Sequence, residues 1–303
     1  MKILYYEKSL DKGCNYYSNI RDYLSINNKI KIIKNNLKKE IINFNPDIII
    51  IGFTVTNTNK KPTLNLNNIK IPLYIILNKE YQALKEKLDW IKEIYPPPRK
   101  VFSVHHDIEK YTNYCNVPFF RIMWSADEKI FKKYSNIYNY DLFFSGVIRK
   151  EQTSNMRKKI YDKLYKLNNY RLLVKAAFYE NNKFVKGKIY QFTNLEYAKK
   201  IEESKIILTT TGPADLVGTR YFEIMASNKG LIICNRMPEE VYGDIVIDKF
   251  NCVMFDDEND FIEKCKYYLE NEEERLKIVN NAYNYFLKKH TWNQKVKDLL
   301  NNL

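Results

Sequence analysis

Short apolar runs alternating with helical patterns constrain this chain more than any other feature. Runs at 3–6, 30–33, 48–53, 73–77 and 101–104 have the length and make-up of buried parallel strands. Between some of them lie helical patterns. In the stretch 80–94, Leu84, Leu88, Ile91 and then Tyr95 recur at helical spacing, and Pro96-Pro97-Pro98 stops the helix. A second set follows. Residues 141–146 read as a strand ending in Gly146, and 156–167 as a basic amphipathic helix. Further strands fall at 170–174, 206–210, 231–234 and 252–255. Further helices fall at 195–203, 219–227, 258–269, 272–289 and 292–300. Such alternation predicts an α/β fold with parallel sheets. The 303 residues have room for two domains. The pattern divides near 136–140, while 57–68 and the Asn181-Asn182 region read as polar loops.

Composition excludes several classes. No apolar run approaches the roughly 18–20 residues a membrane helix needs. The first residues read as a strand, not a signal peptide, because the apolar stretch is short and ends at Glu7. Cys14, Cys115, Cys234, Cys252 and Cys265 are scattered and odd in number, without a Cys-x-x-Cys. That pattern predicts a reducing, cytoplasmic setting with neither a disulfide framework nor a zinc site. The net charge of +14 suits attraction to a polyanion or an acidic membrane surface. It equally suits a composition in which Lys is the default surface residue, since the lysines are spread and not blocked.

The densest chemistry lies between Asp215 and Glu223. A Gly loop opens a helix with a carboxylate one turn in, and a second carboxylate stands eight positions earlier. Helix N-termini favour phosphates, and a carboxylate accepts two hydrogen bonds from a vicinal diol. Gly218 permits close backbone approach, and Thr219 can cap the helix or bond a phosphate. Thr211 closes the preceding strand on the same side. Arg220 and Arg149 have the forked geometry that suits phosphate oxygens. Lys175 stands at the end of the apolar Leu172-Leu173-Val174 and is a third cation candidate. A solvated surface charge is the plain alternative for each, as is a dipole-favoured helix Glu for Glu223. In the first half, His105-His106-Asp107 follows the strand 101–104 and holds two of the three histidines. Imidazoles there can act as a base or position a sugar. The alternative is a helix-capping Asp107 with incidental rings. Gly13, after the first strand, is either a close-approach point or a plain turn. Asp256-Asp257-Glu258 is better read as a helix cap than as a metal site, so no metal is expected.

From Asp141 onward the chain resembles the C-terminal domain of GT-B glycosyltransferases, in the family 1-like, spore-maturation-type group. The resemblance rests on an ordered set: Phe144-Ser145-Gly146 with Arg149, the segment 218–226, Gly230-Leu231-Ile232-Ile233, the loop 251–257, and the closing His290-Thr291-Trp292. It departs in one place, where Asp215 stands for the first glutamate of the group's Glu-x7-Glu.

The resemblance implies a GT-B fold, with two Rossmann-like domains whose parallel sheets face a central cleft. The acceptor domain would span 1–138, the donor domain 139–290, and a closing helix at 291–303 would return to the first domain. It implies a transferase that moves a sugar from a nucleotide-diphosphate sugar to an acceptor hydroxyl, with retention, and with no cofactor or metal beyond the donor. Glu223 would bind the donor's ribose. Arg220, Thr219, Gly218, Arg149, Lys175, Thr211 and Gly146 would line the donor site, and His105, His106 and Asp215 would serve catalysis. Trp124 and Asp127 read as structural, and His290 as packing or capping. The acceptor stays open among glycan, lipid-linked, protein and small-molecule hydroxyls. Two alternatives remain: an acceptor in modified nucleic acid, and a non-catalytic binding protein on the same fold.

Overall fold

The computed structural model describes residues 1–7, 16–34, 36–53, 69–77, 83–149, 156–180, 183–187, 192 and 194–303. Gly13 with its loop, Cys14, residues 57–68 and the start of the helix expected from 80 lie outside them.

The described chain forms two compact units, one of Met1–Trp124 with Trp292–Leu303, the other of Ser125–Thr291. In the first unit the order is β1 (Lys2–Glu7), α1 (Tyr16–Ser25), β2 (Lys29–Ile33), α2 (Leu37–Phe44), β3 (Ile48–Phe53), β4 (Leu73–Leu77), α3 (Leu84–Glu93), β5 (Lys100–Ser103), α4 (Ile108–Cys115) and β6 (Phe119–Arg121). All six strands are parallel, in the order β2-β1-β3-β4-β5-β6. Parallel strands need helical crossovers on both faces, which is why Ile3, Leu4, Ile49, Ile50, Ile75 and Val101 are wholly buried.

The second unit runs β7 (Tyr140–Arg149), α5 (Met156–Lys163), β8 (Leu172–Glu180), β9 (Lys183–Lys186), α6 (Asn194–Glu202), β10 (Ser204–Thr209), α7 (Arg220–Ser227), β11 (Leu231–Asn235), α8 (Glu239–Tyr242), β12 (Val253–Phe255), α9 (Glu258–Glu270) and α10 (Glu272–Lys289). Its sheet is ordered β12-β11-β10-β7-β8-β9, parallel except for the antiparallel edge strand β9. In each sheet the strand order reverses beside the first strand, between β1 and β3 in one and β7 and β10 in the other. Such a reversal leaves a crevice at the carboxyl ends of the strands.

The last helix, α11 (Trp292–Asn301), packs within the first unit. Trp292 stands 6.3 Å from Trp124, ring to ring. Tyr74 donates its hydroxyl to Leu303 O at 2.9 Å, and Lys100 Nζ reaches Asn302 O at 2.5 Å. The chain changes unit at Trp124/Ser125, earlier than the division drawn at 138/139. The reason lies in a buried carboxylate. Glu202 Oε1 accepts the backbone N–H groups of Tyr134 (3.2 Å) and Ser135 (2.7 Å), which staples this connecting segment to the second unit. Lys229 adds to the staple, with its Nζ 3.8 Å over the Tyr138 ring.

Among the described residues no helix is long and apolar enough to cross a membrane. Cys115, Cys234, Cys252 and Cys265 are free thiols, all buried. Asp257 caps α9, accepting from the N–H groups of Asn259 (2.8 Å) and Asp260 (3.0 Å).

Asp141 anchors the start of β7. Burial alone would raise its carboxyl, but the side chain and N–H of Arg171, joined by Lys205, hold it down at about 2. Its folded value therefore lies below that of the unfolded chain, so its stabilisation is present above about pH 4 and is lost as pH falls toward 2. Asp141→Asn is expected to cost about 1–2 kcal/mol at pH 7, allowing for the solvent around Arg171. Chemical denaturation at pH 7 and below pH 3 checks this, and the deficit should shrink at the lower pH.

Candidate functional site

The crevice of the second unit lies between β7 and β10, and its walls follow from how those strands end. β10 stops at Thr209, and the chain turns through Thr210, Thr211 and Gly212. Gly212 N–H closes on Leu216 O at 2.8 Å. Thr211 N–H is held by Asn235 Oδ1 at 3.1 Å, which ties this loop to the end of β11. Below it, Tyr221 and Tyr242 share a 3.0 Å hydroxyl contact, and Tyr242 donates to Asn235 O at 2.6 Å. This buried polar chain braces the floor of the crevice.

β7 does not stop at Gly146 as expected. It runs on to Arg149, paired residue for residue with Ala176–Tyr179 of β8 and backed by β9. Gly146 sits within the strand at φ +153°, where an added Cβ would come 3.2 Å from Arg157 Nη1. The same continuation changes the place of two expected phosphate ligands. Lys175 is not at a strand end: β8 extends to Glu180, leaving Lys175 exposed in mid-strand opposite Ser145. Arg149, at the end of β7, stacks its guanidinium 4.3 Å from the centre of the Tyr179 ring.

Arg220 and Glu223 stand together on the first turn of α7. Arg220 Nη1 donates to Ser145 O at 2.6 Å, and its guanidinium lies 5.6 Å from the centre of the Tyr197 ring. Its Nε is buried and has no hydrogen-bond partner among the described residues. Burial works to lower the Arg220 guanidinium, but Tyr197 and Glu223 raise it. Burial pushes the Glu223 carboxyl up, against the pull of Arg220 and the Thr219 hydroxyl. Thr219 makes no capping bond to α7. A Cβ at Gly218 would meet no atom within 4 Å, so packing does not demand glycine there and open space lies beside the helix start. Asp215 is exposed, and both it and Ala214 take left-handed backbone, at φ 53° and 55°. Non-glycine residues held so are strained, and such strain clusters at binding and catalytic sites.

Arg157, which sequence reasoning passed over, belongs to this wall. It projects from α5, donating through Nε (3.1 Å) and Nη2 (2.5 Å) to Thr210 Oγ1 and through Nη1 to Val147 O (2.9 Å). Burial first, then the charges of Arg220 and Arg149, pull it down to about 10. In the sequence it is one of a run of basic helix residues with Lys158 and Lys159. The only clue was its type, because a forked guanidinium can make several directed bonds where lysine cannot.

The histidine pair lies in the first unit, between β5 and α4. The rings of His105 and His106 stack at 4.2 Å. His105 Nδ1 accepts the N–H of Asp107 at 3.0 Å. Asp107 makes no side-chain cap to α4, and its carboxylate takes Lys110 Nζ at 2.8 Å instead. Burial works against the charged Asp107 carboxyl, but Lys110 and the two imidazoles hold it below its usual range. The ligand atoms of His105, His106 and Asp107 all fall within 4.8 Å of one another, as in a group able to hold a metal ion. His105 Nδ1, however, is already used as an acceptor. His290 both caps and packs: its N–H bonds Phe286 O at 2.8 Å, and its ring lies between Phe222 and Tyr285.

Residues 154–301 match the family described as glycosyl transferase-like. Among solved structures, the Anabaena protein Alr3699/HepE in complex with UDP is similar over 100% of both chains, at 11% identity and a TM-score of 0.66. Sucrose-phosphate synthase from Thermosynechococcus elongatus is similar at 10% identity and a TM-score of 0.62, over 100% of this chain and 98% of that one. A Rickettsia africae glycosyltransferase is similar at 14% identity and 0.58, over 99% and 97%. No curated protein matches the chain by sequence. The fold is that of the GT-B glycosyltransferases, and the family match over 154–301 agrees with the resemblance read from 141 onward.

Gly146→Ala is expected to destabilise the second unit by about 1–2 kcal/mol, through the disfavoured φ and the approach to Arg157. Thermal unfolding against the wild type measures it.

Proposed function

We propose that this chain transfers a sugar from a nucleotide-diphosphate sugar to an acceptor hydroxyl, with retention of anomeric configuration and without a metal ion. One observation carries the reading. Two guanidiniums, Arg157 and Arg220, meet at the switch-point crevice beside the start of α7, with neither in an ion pair within 4 Å among the described residues. A departing nucleoside diphosphate is strongly anionic, and paired guanidiniums with a helix N-terminus stabilise that charge as it develops. This is the electrostatic work that a bound cation does in metal-dependent transferases.

The other roles extend the same proposal. Glu223 accepts the ribose hydroxyls, and the open space at Gly218 admits the donor next to Thr219 and Thr211. Asp215, exposed on the strained turn, faces the sugar. Arg149 and Gly146 complete the phosphate side. In the first unit the His105–His106 pair positions a sugar or the acceptor hydroxyl. His106 is the better base, because His105 commits its Nδ1 to Asp107. The similar Anabaena protein has been seen with UDP-glucose, which makes UDP-sugars the first donors to try. The acceptor hydroxyl belongs to a glycan, a lipid-linked sugar, a protein or a small molecule.

A panel of UDP-, GDP-, ADP- and CDP-sugars tests the donor site. At about 100 times its dissociation constant, the true donor should stabilise the fold by roughly 2.7 kcal/mol. Glu223→Ala should lose that shift, and a well-folded wild type that answers to no nucleotide would sink the assignment. With a donor in hand, EDTA should leave the transfer rate unchanged, and NMR of the new linkage should show the donor's own anomeric configuration. A rate that collapses on chelation and returns with a divalent cation would overturn the metal-free step.

A further inference from the structure

The two peptide carbonyls on either side of Gly146 are each taken by an arginine. Arg220 Nη1 holds Ser145 O at 2.6 Å and Arg157 Nη1 holds Val147 O at 2.9 Å. The guanidiniums thus grip one short stretch of β7 from two different helices, α7 and α5. Like charges brought this close repel, and partial burial strengthens the repulsion. Nothing acidic is paired with Arg157 among the described residues, and its other neighbouring charges, Arg220 and Arg149, are also cations.

Arg157 also sets the chemistry of Thr210. Its Nε and Nη2 both donate to Thr210 Oγ1, at 3.1 and 2.5 Å. A hydroxyl oxygen has two lone pairs and one proton. With both lone pairs engaged, Thr210 can offer the crevice only its O–H. A donor-only hydroxyl suits a phosphate oxygen, which can only accept, and is of no use to a sugar hydroxyl seeking an acceptor.

We infer that Arg157 is a positioning residue for the diphosphate of the donor. It acts through Gly146, Thr210 and Arg220: it fixes the backbone beneath the phosphates, turns Thr210 into an obligate donor, and adds positive charge behind Arg220. The inference rests on the reading that this crevice takes a nucleoside diphosphate. The role is selective, since it favours the anionic part of the ligand and leaves the nucleoside part alone.

Calorimetric titration of UDP, GDP, ADP and CDP, each beside its nucleoside, tests this on wild type, Arg157→Met, Arg157→Lys and Thr210→Val. For the nucleotide that binds, Arg157→Met should weaken the diphosphate by about tenfold or more and the nucleoside by less than about twofold. Its diphosphate affinity should also fall less steeply with salt. Arg157→Lys restores charge but not the forked tether, so its loss should be intermediate, and Thr210→Val should show the same selectivity in smaller measure. Circular dichroism and Tm report folding. If Arg157→Met does not fold, the Arg157→Lys ratio decides. An unchanged diphosphate-to-nucleoside ratio in folded variants, or an equal loss of both ligands, would overturn the inference while leaving the donor site intact. A wild type that binds no nucleotide would overturn the donor-site reading, and this inference with it.

Discussion

Parallel strands must be covered on both faces, and the crossovers that cover them cannot all run the same way. In both sheets the chain winds first to one side of its opening strand and then to the other, so neighbouring loops part at the reversal. In the second unit that parting falls between β7 and β10. The α5 and α7 crossovers both lead away from it, and each delivers an arginine to the gap. The site is thus a consequence of the sheet order more than of any single loop.

Charge then gives the gap its character. Among the described residues, Arg220 and Arg157 are held by backbone carbonyls and a threonine, not by carboxylates. Neutral partners satisfy hydrogen-bonding needs but leave the net charge in place. Glu223 offsets part of it from the same first turn of α7, with its carboxyl raised by burial. A crevice of this kind is stable as a fold and yet electrostatically incomplete, which is the condition for recognising an anion. The floor beneath it is braced for a separate reason: Tyr221 and Tyr242 bond each other and Tyr242 donates to Asn235 O, with all three residues buried.

Much of this was readable beforehand. The apolar runs located most of the strands, and α10 spans the range its pattern predicts. The glycine loop and early glutamate marked the head of α7. Other features escaped. Exposed β9 has no apolar run to announce it, and without it nothing indicated that β7 and β8 continue past Gly146 and Lys175. The allegiance of the connecting segment near 125–139 does not show in the pattern, because it depends on a carboxylate far ahead in the sequence, Glu202.

Periodicity and composition determined the α/β class, the strand and helix inventory, and the position of one carboxylate on one helix start, because each depends on neighbours within a turn or two. Tertiary structure decided which charges matter. Arg157, Lys158 and Lys159 are indistinguishable as a basic run. Only the packing of α5 against β7 turns Arg157 toward Thr210, while Lys158 pairs with Asp162 on the exposed face. A side chain's direction depends on the element packed against it, and that contact is made between residues distant in sequence.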